Sequence, residues 1–138
     1  MPMITVQLAA EPEPGLTRRV VDAVAGLTAS VLRKDPKVTA IAVEYLPRRH
    51  WFVAGRSTEE LGRAAFFVEV RVTDGTNTKD EKARFVAEAF RALRGALGEV
   101  DEESYVHVNE VRADAYGYGG RTQERRFIES RPALGLAS

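Results

Sequence analysis

An α+β fold built from a tandem βαβ repeat is what this sequence predicts, and three observations predict it. Apolar residues alternate in four short segments, recur at helical spacing in two longer ones, and the order strand–helix–strand occurs twice. The expected product is a four-stranded mixed sheet with both helices on one face, because a βαβ crossover is right-handed and lays its helix on one side of the sheet. The 138 residues suit one such domain, large enough to bury roughly two-thirds of its surface on folding. We read a single domain over 1–128, with halves at about 2–60 and 61–125, and a flexible C-terminal tail over 129–138.

The first strand is Pro2–Leu8, where Ile4, Val6 and Leu8 alternate with Thr5 and Gln7. After the turn-rich EPEPG comes a helix over about Leu16–Lys34, with Leu16, Val20, Val24, Leu27 and Val31 on one stripe; Asp35-Pro36 ends it. Thr39–Leu46 alternates again, setting Ile41, Val43 and Tyr45 against Ala40, Ala42 and Glu44.

The second half repeats the order. Ala65–Thr73 is a strand with Phe66, Val68, Val70 and Val72 on its apolar face. Thr78-Lys79-Asp80-Glu81 is a capping box opening a helix that points Val86, Phe90, Leu93 and Leu97 inward, and Gly98 can close it. Ser104–Val111 is the fourth strand. Landmarks match between halves, since Trp51…Gly55 (WFVAG) falls where Tyr116…Gly120 (YGYGG) falls. From about Thr122 the chain reads as a tail in which Phe127 and Ile128 can dock on a neighbouring subunit.

By parity, the sheet face away from the helices carries Thr5, Gln7, Ala40, Ala42, Glu44, Glu69, Arg71, Thr73, Tyr105, His107 and Asn109. Either this face is solvated, or other subunits cover it and its charges pair across strands.

Composition narrows the functions. Lys+Arg and Asp+Glu are both 20, so no basic field exists to capture nucleic acid or an anionic membrane. Cysteine is absent, which removes disulfides, thiolate metal sites and a cysteine nucleophile, and fits a reducing compartment. With only His50 and His107, a protein-built zinc site is not expected. No apolar run spans a bilayer, and MPMITVQL lacks a signal peptide's basic region, so the expected location is cytoplasmic.

Pro2 is the candidate for chemistry. Methionine before proline is normally excised, leaving a secondary amine at the strand end. An α-amino group has a reference pKa of about 7.7–8.0, and burial lowers it. Such a proline is a neutral general base near pH 7; a proline that merely opens an edge strand is the plainer reading.

PMITVQL, the two βαβ halves and VNEVRADAYGYGGRTQER together resemble the tautomerase superfamily, in particular 4-oxalocrotonate tautomerase and its fused, double-length relatives. The resemblance spans about Pro2–Arg125. It implies a homotrimer whose polar sheet faces line a central barrel. It also implies an amino-terminal proline that shuttles a proton on small enol or 2-oxo carboxylates, without a cofactor. A hydratase-type activity on the same proline, or a trimer that binds ligands without chemistry, is the alternative.

Carried over residue by residue, the resemblance makes Pro2 catalytic and Trp51 and Tyr116 aromatic pocket walls. Tyr105 and His107 fall where a relative contacts its ligand. The family's arginines are missing: Thr73, Thr76, Ala40 and Tyr105 stand in those places. The two threonines argue against dehalogenation and malonate-semialdehyde decarboxylation. Arg71 is then the cation for a substrate carboxylate, or else a cross-strand partner of Glu44 or Glu69. Arg48-Arg49-His50 beside Trp51 is a second basic cluster. Arg112 and Arg121 flank the aromatic turn and can instead hold the C-terminal segment.

Overall fold

The computed structural model describes residues 2–131. Its frame is a four-stranded sheet in the order β2-β1-β5-β6. The strands are β1 (Met3–Ala9), β2 (Ala40–Leu46), β5 (Ala65–Thr73) and β6 (Tyr105–Val111). Within each half the strands run parallel, β1 with β2 and β5 with β6; the halves join through the antiparallel β1–β5 pair. That pair is centred on Val6 opposite Val68, which places an approximate two-fold axis between the halves. The sheet is therefore mixed, and the fold is α+β.

Helices α1 (Leu16–Ser30) and α3 (Lys79–Leu97) cover one face. The core lies between, where Ile4, Val6, Leu8, Phe66, Val68, Val70 and Val72 meet Leu16, Val20, Val24, Phe85, Ala89 and Leu93. Phe66 and Phe90 pack tilted at 59°, with centroids 5.3 Å apart. Burying an aromatic this fully makes Phe85 costly to truncate, by about 3–5 kcal/mol for Phe85→Ala.

Three expectations need correction. The first helix ends at Ser30 rather than Lys34, because Arg33 takes a left-handed φ of 58° that no α-helix continues. In α3 the buried stripe is Phe85, Ala89 and Leu93, with Phe90 and Leu97 at its flank, while Val86 is 39% exposed. Val86 lies one position round the helix from Phe85, and the larger ring takes the inward place. The segment after Thr122 is not all tail, since α4 covers Gln123–Ser130 and only 132–138 lie outside the described residues. Its eight residues bury nothing, so no apolar stripe announced it.

The capping box stands as expected. Glu81 donates its N–H to Thr78 Oγ1 at 3.1 Å, and its carboxylate accepts from the Thr78 N–H at 2.8 Å. Those contacts hold its carboxyl below the usual range.

Each half ends in the same supersecondary unit. A two-residue hairpin, β3 (Phe52–Val53) with β4 (Arg56–Ser57), leads into the short helix α2 (Thr58–Leu61). Its counterpart is β7 (Gly117–Tyr118) with β8 (Arg121–Thr122), leading into α4. Both turns have two left-handed residues, Ala54 and Gly55 at φ 52° and 81° and Gly119 and Gly120 at 62° and 78°. Ser57 and Thr122 cap the helices that follow. Trp51 and Tyr116 each accept, through the carbonyl, the N–H of the first helical residue, at 2.8 and 2.9 Å. The match between WFVAG and YGYGG is thus a match in backbone.

Candidate functional site

Pro2 is buried at the entry of β1, and its carbonyl accepts the Ala40 N–H at 3.0 Å. The ring has no N–H to leave unpaired there, so proline suits the position. It opens on a cleft of about 450 Å³ lined also by Met3, Lys37, Val38, Thr39, Ala40, Tyr116, Gly117 and Tyr118. Three elements from both halves converge on it: the start of β1, the turn entering β2, and the β7 hairpin.

The aromatic walls are held in place. The Tyr116 hydroxyl shares a hydrogen bond with Thr73 Oγ1 at 2.9 Å. Arg126 of α4 stacks on the Tyr118 ring at 3.7 Å and donates to the Tyr118 carbonyl through Nη2 at 2.9 Å. Gly117 between them admits no side chain, because a Cβ would sit 1.9 Å from the Arg121 carbonyl oxygen across the hairpin. Lys37 is the one cation among the residues lining this cleft. Its backbone is set by Asp35, whose carboxylate accepts the Lys37 N–H at 2.9 Å in an Asx-type turn.

The residues singled out from sequence separate into three places. Pro2 and Tyr116 meet in this cleft. Trp51 and Tyr105 line a different one, beside Glu103. Arg71 and His107 stand on the open sheet face, where Glu69 holds both: Arg71 pairs with Glu69 Oε1 at 2.5 Å, and His107 Nδ1 lies 3.3 Å from Oε2. Arg71 also donates to Thr5 Oγ1 at 3.4 Å. Of the two roles open to Arg71, the pairing with Glu69 is the one seen within the chain, and it runs along β5 rather than across strands.

Arg121 reaches Glu129 at 3.1 Å and so fastens α4, while Arg112 pairs with Asp114. Arg48–His50 form a single 3₁₀ turn leading to Trp51, away from Pro2. Sequence reasoning missed Lys37 and Tyr118. Lys37 sits in Asp35-Pro36-Lys37, read only as a helix stop, and Tyr118 was absorbed in the glycine pattern around Tyr116.

Beyond Arg71, which Glu69 holds, the end of β5 carries no arginine. Thr73 is engaged by Tyr116, and Thr76 Oγ1 donates to the Thr73 carbonyl at 2.6 Å while accepting from Lys34 Nζ at 2.8 Å. Among the described residues no group of three or more His, Asp or Glu could hold a metal ion, and no helix is long and apolar enough to cross a membrane.

A two-fold βαβ repeat with Pro2 buried at the first strand and an aromatic hairpin over it is a fold shared with solved fused, double-length 4-OT structures. The family model described as Tautomerase enzyme matches residues 67–126, the second of the two halves. A fused 4-OT wild-type symmetric trimer superposes with a TM-score of 0.79 at 16% identity, covering 94% of this chain and 99% of that one. The native fused 4-OT gives 0.79 at 17%, covering 89% and 97%. The FG41 malonate semialdehyde decarboxylase inhibited by 3-bromopropiolate gives 0.71 at 16%, covering 94% and 99%. No curated protein matches the chain.

Proposed function

We propose that this chain is a cofactor-independent tautomerase in which Pro2, freed by removal of Met1, is the general base toward small enol or 2-oxo carboxylates. One observation carries the reading: a buried Pro2 opens on a mostly apolar cleft whose walls are Tyr116 and Tyr118 and whose single lining cation is Lys37. A volume of about 450 Å³ is within the range of small-molecule sites.

The chemistry follows from those groups. Desolvation disfavours the charged amine, so the proline nitrogen keeps a lone pair near neutral pH. It takes the enol O–H proton while that oxygen's electrons form C=O, and the former C=C pair takes the proton back from nitrogen at carbon. Atoms and charge balance without a second reactant. The Lys37 ammonium pairs with the substrate carboxylate, and the aromatic walls exclude water and seat the carbon chain. Tyr116, fixed by Thr73, lies where a hydroxyl can hydrogen-bond the developing oxyanion.

The relatives named as trimers support a homotrimer for this chain. The polar sheet face would then line its centre, and Arg71 and His107 would approach substrate only through a neighbouring copy.

The test is the state of the amine. With an uncleavable residue ahead of Pro2, confirmed by intact mass, the nitrogen is an amide, and ketonisation of phenylenolpyruvate should fall about 10²–10⁴-fold. Pro2→Ala keeps a primary amine and should retain part of the rate, with a displaced pH–rate profile. Equal turnover by the blocked and processed forms would rule proline out as the base.

A further inference from the structure

The internal two-fold produces a second cleft, and its chemistry is inverted. It measures about 500 Å³ and is lined by Trp51, Phe52, Val53, Ala54, Glu103 and Tyr105. The β3 hairpin supplies one wall, as the β7 hairpin does beside Pro2. Glu103 is the charged residue of this lining, as Lys37 is of the first. Each donates its backbone N–H to an aspartate two residues earlier, Glu103 to Asp101 at 2.8 Å and Lys37 to Asp35 at 2.9 Å. Ala64 corresponds to Pro2 across the two-fold but does not line this cleft, and its N–H is already bonded to the Glu99 carbonyl at 2.9 Å. The lining contains neither a cation nor a terminal amine. An anionic substrate finds no partner there.

What the cleft offers instead is one carboxylate among three aromatic side chains. Phe52 and Tyr105 are each 60% exposed, so ring surface is open to a ligand. The Tyr105 hydroxyl donates to Glu103 Oε2 at 2.6 Å, which orients the carboxylate. That bond also raises the phenol above its ordinary range, so Tyr105 remains a neutral donor. Aromatic faces attract a cation within about 6 Å of the ring centre, and the adjacent carboxylate adds a full charge to that potential. An alkylated ammonium meets both demands, with methyl groups against the rings and its charge toward Glu103. Its weak hydration makes it easier to desolvate than a primary ammonium.

We propose that this second cleft binds a small organic cation of the quaternary or alkylated ammonium class, held by Glu103 and the ring faces of Trp51, Phe52 and Tyr105. Trp51 is the single tryptophan in the chain, so its indole reports the site directly. The experiment titrates the full ¹⁵N-labelled protein with choline and, separately, with 3,3-dimethyl-1-butanol, the uncharged analogue of the same shape. Choline should shift the one indole N–H resonance saturably, and the alcohol should bind at least about fivefold more weakly. Glu103→Gln and Phe52→Ala, each checked for folding by circular dichroism, should both weaken choline binding by about fivefold.

Three results would overturn the proposal. The first is no saturable shift, as when another copy covers the cleft in the assembled protein. The second is equal binding of choline and the alcohol, which marks a merely apolar groove. The third is full choline affinity in either folded variant.

Discussion

A proline opening β1 gives up no ladder bond, because its ring has no N–H and its carbonyl still accepts from Ala40. The same buried place makes a freed nitrogen less able to hold charge. Lys37 complements it. As the one cation lining the cleft, it should bind a substrate carboxylate alike in the ground and transition states. Lys37→Met is therefore expected to raise KM for phenylenolpyruvate about two- to fivefold, with kcat nearly unchanged. A kcat effect with constant KM would assign Lys37 another role. At Thr73 the prediction is negative. Its hydroxyl is engaged by Tyr116, and Arg71, the nearest arginine on β5, is paired with Glu69, so turnover of 3-chloroacrylates and malonate semialdehyde should be negligible. A robust rate with either would show that a different cation has taken that part.

Each half's terminal hairpin supplies the aromatic wall of one cleft, and at Pro2 the start of β1 and the turn entering β2 complete it. Gly117 pairs with Thr122 across the β7–β8 hairpin, where a Cβ would collide with backbone. Phe52 occupies the corresponding place in the first half, so the two hairpins share a turn and a register but only the second requires glycine there. Gly117→Ala should force the hairpin open and displace Tyr116 and Tyr118. About a ten- to hundredfold loss in kcat/KM follows from displacements on the ångström scale, with little change in Tm because the hairpin lies outside the core. Steady-state kinetics beside thermal melting separates the two effects. Unchanged kcat/KM would show that the walls do not need this glycine.

For the whole molecule, the sheet face opposite the helices is the open question. Glu69, Arg71, His107 and Asn109 already satisfy one another within the chain, and Gln7 pairs with Glu44 at 2.8 Å. Such prepaired charges can be covered without stranding a bare ion. Phe127 and Ile128 remain exposed apolar surface on the same molecule. A trimer is therefore expected at micromolar concentration, read by sedimentation equilibrium; a mass near that of one chain throughout that range would remove it.

Alternation and helical spacing were enough to place all four long strands and the two long helices, since each is a local consequence of which side chains must leave water. The β5 strand, Ala65–Thr73, and the Thr78 capping box were legible to the residue for that reason. Pro2 and Tyr116 were singled out from the sequence through a resemblance, and the fold brings the two to one cleft. What local pattern could not carry was which of the candidates share a cleft. Tyr105 lies one strand-turn from Glu103 and bonds it, and so stays with Trp51, while Lys37 reaches Pro2 because β2 runs parallel beside β1. Those meetings depend on pairings across tens of residues, where strand order and the two-fold between halves decide which ends coincide. An exposed turn such as Asp35-Pro36-Lys37 carries no periodicity, so its place beside the proline emerges only when the sheet has brought its neighbours together.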